Sequence, residues 1–180
     1  MELEHKFCRF DSDEMSVEGL VIEGYASLFG QTDQGKDVVQ KGAYGKSLVD
    51  LEKAGRSVKM LWQHDPAQPI GVWDDLREDD RGLYVKGRLL DGVEKGREAA
   101  ALIEAGAIEG LSIGYRTKRA TKTPDGKRVL TELELWEVSL VTFPMLPSAR
   151  VAAKSEDLDG DLLREMAAAF DGARQQMAQG

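Results

Sequence analysis

Between Leu111 and Phe143 the chain reads LSIGYRTKRA, then TKTPDGK, then RVLTELELWEVSLVTF. Two long β-prone runs joined around Pro124-Asp125-Gly126 specify a hairpin, and a hairpin fixes register along its whole length. With Asp125 and Gly126 as the central residues of a two-residue turn, Pro124 faces Lys127. Counting back, Ser112 falls opposite Ser139 and Gly114 opposite Glu137. Opposite residues share one face of a sheet, so all four project the same way. Ser112 and Glu137 become diagonal neighbours with Cβ atoms roughly 5–8 Å apart, too far for a direct hydrogen bond but wide enough for an imidazole.

The second strand marks Glu137 in a different way. Leu133, Leu135, Glu137, Ser139, Val141 and Phe143 alternate onto one face, whereas Glu132 and Glu134 belong to the other. A carboxylate among apolar neighbours is costly to bury without a partner, and an arginine or a charged histidine would serve. The chain has two histidines. His5 sits in the polar stretch MELEHKFCRF, which reads as a mobile segment. His64 ends the strand-like run VKMLWQHDPAQPI beside a turn. A serine hydroxyl is a poor nucleophile until a base takes its proton, imidazole is the usual base, and an acid orients the ring. Ser112, His64 and Glu137 are therefore candidates for nucleophile, base and orienting acid. Plainer readings stay open at this point: close packing beside glycine for Ser112, a turn residue for His64, an ion pair for Glu137. Asp65 reads as a side-chain cap of the turn.

Composition narrows the alternatives. The 180 residues carry a formal net charge of -8, against binding nucleic acid mainly through phosphates. A basic run from Tyr115 to Arg128 reads as a solvated hairpin. Cys8 is the single cysteine, so an intrachain disulfide and a thiolate-rich metal site are both out. A metal at His64-Asp65 lacks a second histidine or a nearby carboxylate pair, and no glycine-rich phosphate loop opens a helix. No metal and no other cofactor is expected. The N-terminus lacks an apolar signal core, and no run approaches the roughly 18 apolar residues of a membrane span. A soluble protein in a reducing cytoplasm is expected, with no membrane partner.

Hydrophobic residues make up 42% of the chain, enough for a real core. Strands are predicted at Leu20–Phe29, from Val58, and at Arg81–Leu90, where Leu83, Val85, Gly87 and Leu89 share a face. Helices are predicted over AYGKSLVDLEKAG, ending at Gly55, and over EKGREAAALIEAGAIEG, with Leu102 and Ile103 on the buried stripe. Glycines in the strands point to a strongly bent sheet. Trp62, Trp73 and Trp136 are expected to be core or pocket walls. The pattern gives an α+β domain over residues 1–153 and an acidic, Ala-rich helical tail over 154–180. Leu162, Met166, Phe170, Ala173 and Met177 form the tail's one apolar stripe.

Five segments in order carry a resemblance: EGYASLFG, DVVQKGAY, VKMLWQHDPAQPIGVW, GREAAALIEAGAIEGLSIGYR and LELWEVSLVTFPMLPSA. Across them the chain resembles the prohead (procapsid) maturation proteases of tailed bacteriophages. The resemblance implies the herpesvirus assembly-protease fold, a bent antiparallel β-barrel wrapped by helices. It puts His64 in the base position and Ser112 in the nucleophile position. The herpesvirus enzymes use a second histidine as third member, which this chain does not supply at that place, so Glu137 is the best substitute. The implied reaction is peptide-bond hydrolysis through an acyl-enzyme. Implied substrates are scaffold or major capsid protein segments and the protease itself, inside the assembling procapsid in the host cytoplasm, with self-association as a further implication. Two rivals remain. One is an inert assembly or scaffold module of the same fold. The other is an esterase, for which Gly-Leu-Ser-Ile-Gly fits the bare Gly-x-Ser-x-Gly pattern but precedes a strand instead of a helix.

Overall fold

The computed structural model describes residues 3–9, 16–18, 20–33, 35–108 and 110–142. The hairpin is the spine of its sheet: β8 (Gly110–Lys122) and β9 (Arg128–Val141) pair along their whole length. Before them come β1 (Glu4–Arg9), β2 (Ser16–Glu18), β3 (Val21–Leu28), β4 (Asp37–Val39), helix α1 (Gly45–Lys53), β5 (Lys59–Trp62), β6 (Asp65–Glu78), β7 (Gly82–Leu89) and helix α2 (Glu94–Glu104). Among the described residues the strands form one sheet in the order β1-β8-β9-β5-β6-β7-β3-β2, with β4 also beside β9. The expected α+β class holds, and the sheet curls into a half-barrel that brings β3 against β1 and β8.

The sheet is mixed, which corrects the expectation of a purely antiparallel barrel. Both β4 and β5 run parallel to β9. The reason lies in how one edge of β9 is covered. The chain follows that edge as β4 against Arg128–Leu130, lifts off as α1, and returns as β5 against Glu137–Leu140. Over the gap, Ala43 O accepts from Leu133 N–H at 2.9 Å and Ser47 Oγ accepts from Leu135 N–H at 2.9 Å. The helix and the turn before it thus satisfy ladder groups that would otherwise be buried unpaired.

Two local expectations also change. The β8–β9 turn holds three residues, not two: Thr123 faces Lys127, and Gly126 takes the left-handed conformation at φ 82°. On α2, Leu102 points outward, and the buried positions are Gly96 and Ala99. Gly96 is there because a Cβ would meet Leu90 O at 2.4 Å and Ile70 O at 2.9 Å, so the helix rides directly on backbone. The bend anticipated from strand glycines has a similar cause. A Cβ on Gly87 would strike Val72 O at 2.4 Å and the Trp73 ring at 2.6 Å. Trp73 is core; Trp62 packs against the core with Lys95 over its ring, and Trp136 lies between Arg56 and Arg116. Side chains such as Ile22, Met60, Ile70, Val85, Leu111, Ile113 and Leu140 make up one buried core cluster. The domain boundary at 153, the tail over 154–180 and Phe143 lie outside the described residues.

The N-terminal segment carrying His5, read from sequence as mobile, is an ordered edge strand. The flanking charges hold it there. Buried Lys6 donates from Nζ to Asp33 Oδ2 and to Asp37 O, both at 3.0 Å. Glu4 accepts from Thr117 N–H at 3.2 Å and Oγ1 at 2.5 Å, and pairs with Arg128, which also holds Asp37. Desolvation alone would raise the Glu4 carboxyl, but its Thr117 and Arg128 contacts hold it below its ordinary value of 4.5. A carboxyl depressed on folding contributes stability above its ordinary pKa, and that stability is lost as pH falls through the depressed value. Acidification below about pH 4.5 is therefore expected to weaken β1 first. Amide hydrogen exchange should show β1 losing protection before β5–β7; uniform loss would refute it.

Candidate active site

His64 sits in a backbone conformation that costs energy. Trp62 pairs with Asp65, so Gln63 and His64 are the two central residues of the β5–β6 hairpin. Their φ values are 50° and 63°. A type I′ turn needs positive φ at both positions, and the usual residues there are Asn and Gly. Holding non-glycine residues in this region costs on the order of 1–3 kcal/mol each. Specific bonds compensate: Gln63 Nε2 donates to Thr142 Oγ1 at 2.7 Å, Gln63 N–H to Leu140 O at 3.0 Å, and His64 N–H to Ser139 Oγ at 3.2 Å. The turn aims the imidazole back across the sheet. His64→Gly is expected to be more stable than His64→Ala by about 1 kcal/mol, because glycine meets no Cβ penalty there. Urea unfolding of the two variants checks this; equal midpoints would mean the turn is unstrained.

The ring meets Glu137. His64 Nδ1 lies 2.6 Å from Glu137 Oε1, and the other carboxylate oxygen accepts from Ser139 Oγ at 2.5 Å. Glu137 is only 3% exposed. Burial pushes its carboxyl up, but the two imidazoles and the Ser139 hydroxyl outweigh that and hold it below the usual carboxylate range. The second imidazole is His5, which the sequence reading set aside. Its Nδ1 is 3.7 Å from Glu137 Oε1, beyond a hydrogen bond, and its ring centroid is 3.9 Å from that of His64.

Pairing explains the gathering. His5 pairs with Gly114, and Gly114 with Glu137, forming one row across β1, β8 and β9. Glycine in the middle leaves room for the carboxylate, since a Cβ on Gly114 would sit 2.1 Å from Glu137 Oε1. Two residues along each strand, Phe7, Ser112 and Ser139 form another row. Both hairpin pairs expected from sequence are present, though by a different route. The three-residue turn shifts the register by one, and a bulge that skips Trp136 shifts it back between Tyr115–Leu135 and Gly114–Glu137. Skipped from the ladder, Trp136 stacks under Arg116, whose guanidinium lies 4.3 Å from the ring centroid.

Ser112 is the third residue of β8 and 0% exposed; its Oγ donates to Lys6 O at 3.2 Å. Asp65 does what the turn reading expected, accepting from Ala67 N–H at 2.8 Å and Gln68 Nε2 at 2.9 Å. Several basic residues of the hairpin engage acids of this chain, Lys118 with Glu134 and Arg119 with Glu132 among them. No helix of the described residues is long and apolar enough to cross a membrane.

The sequence matches the caudovirus prohead serine protease family over residues 8–162. The chain belongs to that family. Among prohead proteases, that of enterobacteria phage HK97 is 35% identical over 160 residues, covering 84% of this chain and 70% of that protein. A capsid polyprotein of Pseudomonas phage PAJU2 is 30% identical over 162 residues, covering 85% of this chain and 23% of the polyprotein. The chain thus corresponds to about a quarter of that polyprotein's length. In structure it is similar to the capsid assembly protease of bacteriophage T4, with a TM-score of 0.64 and 22% identity over 79% of this chain and 98% of that one. That likeness concerns the fold. His64, Ser112 and Glu137 all fall within the span matched to the prohead protease family, whereas His5 precedes it.

Proposed function

We propose that the chain is a serine endopeptidase that cleaves capsid or scaffold protein segments, and itself, in the assembling procapsid within the host cell. The observation that carries this is the 2.6 Å contact between His64 Nδ1 and a buried Glu137, whose strand partner Gly114 is two residues from Ser112. With Nδ1 on the carboxylate, Nε2 is the nitrogen that takes the serine proton. Ser112 Oγ then attacks the peptide carbonyl, and the protonated ring, steadied by Glu137, gives the proton to the leaving amine. Water repeats the cycle on the acyl-enzyme. The hydroxyl must first rotate off Lys6 O. Ser139 supports the reading from behind, because its one hydroxyl contacts both the His64 backbone and the Glu137 carboxylate.

The inert assembly module is the second reading, and the full burial of Ser112 is the observation that favours it. Co-expression with the cognate capsid protein separates the two. Shortened capsid products, together with labelling of Ser112 by a fluorophosphonate, support the protease; neither event supports the inert module. The esterase alternative has less behind it, since Ser112 lies inside a strand and not at a strand-to-helix elbow.

A further inference from the structure

We propose that His5, His64 and Glu137 form a zinc site whose occupancy switches the protease off. The sequence reading discounted a metal because His64 had no second histidine beside it. The fold supplies one from β1. One nitrogen from each imidazole and one Glu137 oxygen all lie within 4.8 Å of one another. Two imidazoles and a carboxylate are a zinc donor set of the kind that leaves a fourth position open to water. Nitrogen donors also favour zinc over magnesium or calcium, which prefer oxygen.

The geometry is close to what coordination requires. Metal–ligand bonds of 2.0–2.1 Å in a tetrahedron put neighbouring donor atoms roughly 3.3 Å apart. His5 Nδ1 at 3.7 Å from Glu137 Oε1 has to close slightly, and His64 Nδ1 at 2.6 Å has to open. The supporting contacts are already in place. Ser139 Oγ holds the second Glu137 oxygen, as outer partners of metal-bound carboxylates do. Glu4 and Lys6 anchor the strand on both sides of His5. The His5 side chain is 35% exposed and that of His64 15%, so an ion can reach the site from water.

The effect on chemistry follows from the His64 ring. Coordination through Nδ1 requires the ring proton to sit on Nε2, with no net proton gained or lost. A ring protonated at Nε2 and bound to zinc at Nδ1 has no lone pair for the serine proton. Zinc would also take the Glu137 oxygen that otherwise orients the ring. This inhibition rests on the serine-protease reading above, whereas the binding site does not.

The test uses the full chain carrying Ser112→Ala, which cannot process itself under that reading, and zinc chloride titrated against a chromophoric zinc indicator. One zinc per chain is expected, with magnesium unable to compete. Adding His5→Ala or His5→Gln should weaken zinc binding by about 100-fold, the two variants guarding against a fold defect in either. On the wild-type chain, zinc should slow cleavage of the capsid protein, a chelator should restore it, and both His5 variants should shift the half-inhibiting concentration upward by a similar factor. Zinc affinity unchanged in both folded His5 variants overturns the site. Cleavage abolished by chelator overturns the inhibitory role. His5-dependent zinc binding in a wild-type chain that cleaves nothing keeps the site and sinks the protease reading instead.

Discussion

Capsid-protein cleavage by Ser112→Ala is expected to fall by about 10⁴-fold or more, and His64→Ala should fall about as far. The double variant should be no slower than either single one, because nucleophile and base act as one unit. Loss of fold would not explain such a result. Ser112→Ala removes one described hydrogen bond, that to Lys6 O, worth about 0.5–1.5 kcal/mol. The ion pairs of Glu4 and Lys6 still hold β1 in place. Shortened capsid product, quantified over time with the fold checked by circular dichroism, is the measurement. A folded Ser112→Ala chain that cleaves at the normal rate removes Ser112 from the chemistry.

Where the sequence was legible, local chemistry and structure agree. The β8–β9 hairpin, the alternation of Leu83, Val85 and Leu89, and the glycine ending the first helix at Gly55 are all present as read. Ser112 does lie opposite Ser139, because two departures from the simple count cancel. The turn has one residue more than assumed, and the Trp136 bulge, which no local pattern announces, absorbs it. β1 is charged and short, and what orders it lies far along the chain: Asp33, Asp37, Thr117 and Arg128. β6 begins at Asp65-Pro66 and contains Pro69, residues that argue against a strand; it tolerates them where its pairing with β5 is irregular. His5 was discounted together with β1. One signal for it was within reach: Gly114, invoked only as the partner of Glu137, is the place where a side chain from the next strand can come across.

Gly114→Ala and Glu137→Gln should both cost activity heavily, because they act on the same oxygen. Glu137→Gln keeps the shape of the side chain but removes the charge that steadies a protonated His64, and a loss on the order of 10⁴-fold is expected, no larger than for Ser112→Ala. Gly114→Ala leaves every catalytic group intact. Its new Cβ would sit 2.1 Å from Glu137 Oε1 and within 3 Å of Cδ and Cγ, and each of those atoms belongs to the Glu137 side chain. A side-chain end yields more easily than backbone, so the sheet should hold while the carboxylate swings off His64 Nδ1. Displacing an orienting group by about 1 Å can cost on the order of 10²-fold. The joint variant decides whether this is the route. If glycine serves only to make room for the carboxylate, Gly114→Ala placed on Glu137→Gln should add little further loss, with unfolding midpoints near those of the single variants. Losses that multiply would give Gly114 a role of its own, such as contact with the substrate backbone. A Gly114→Ala chain that folds and cleaves normally would show that Glu137 does not orient His64 through Oε1.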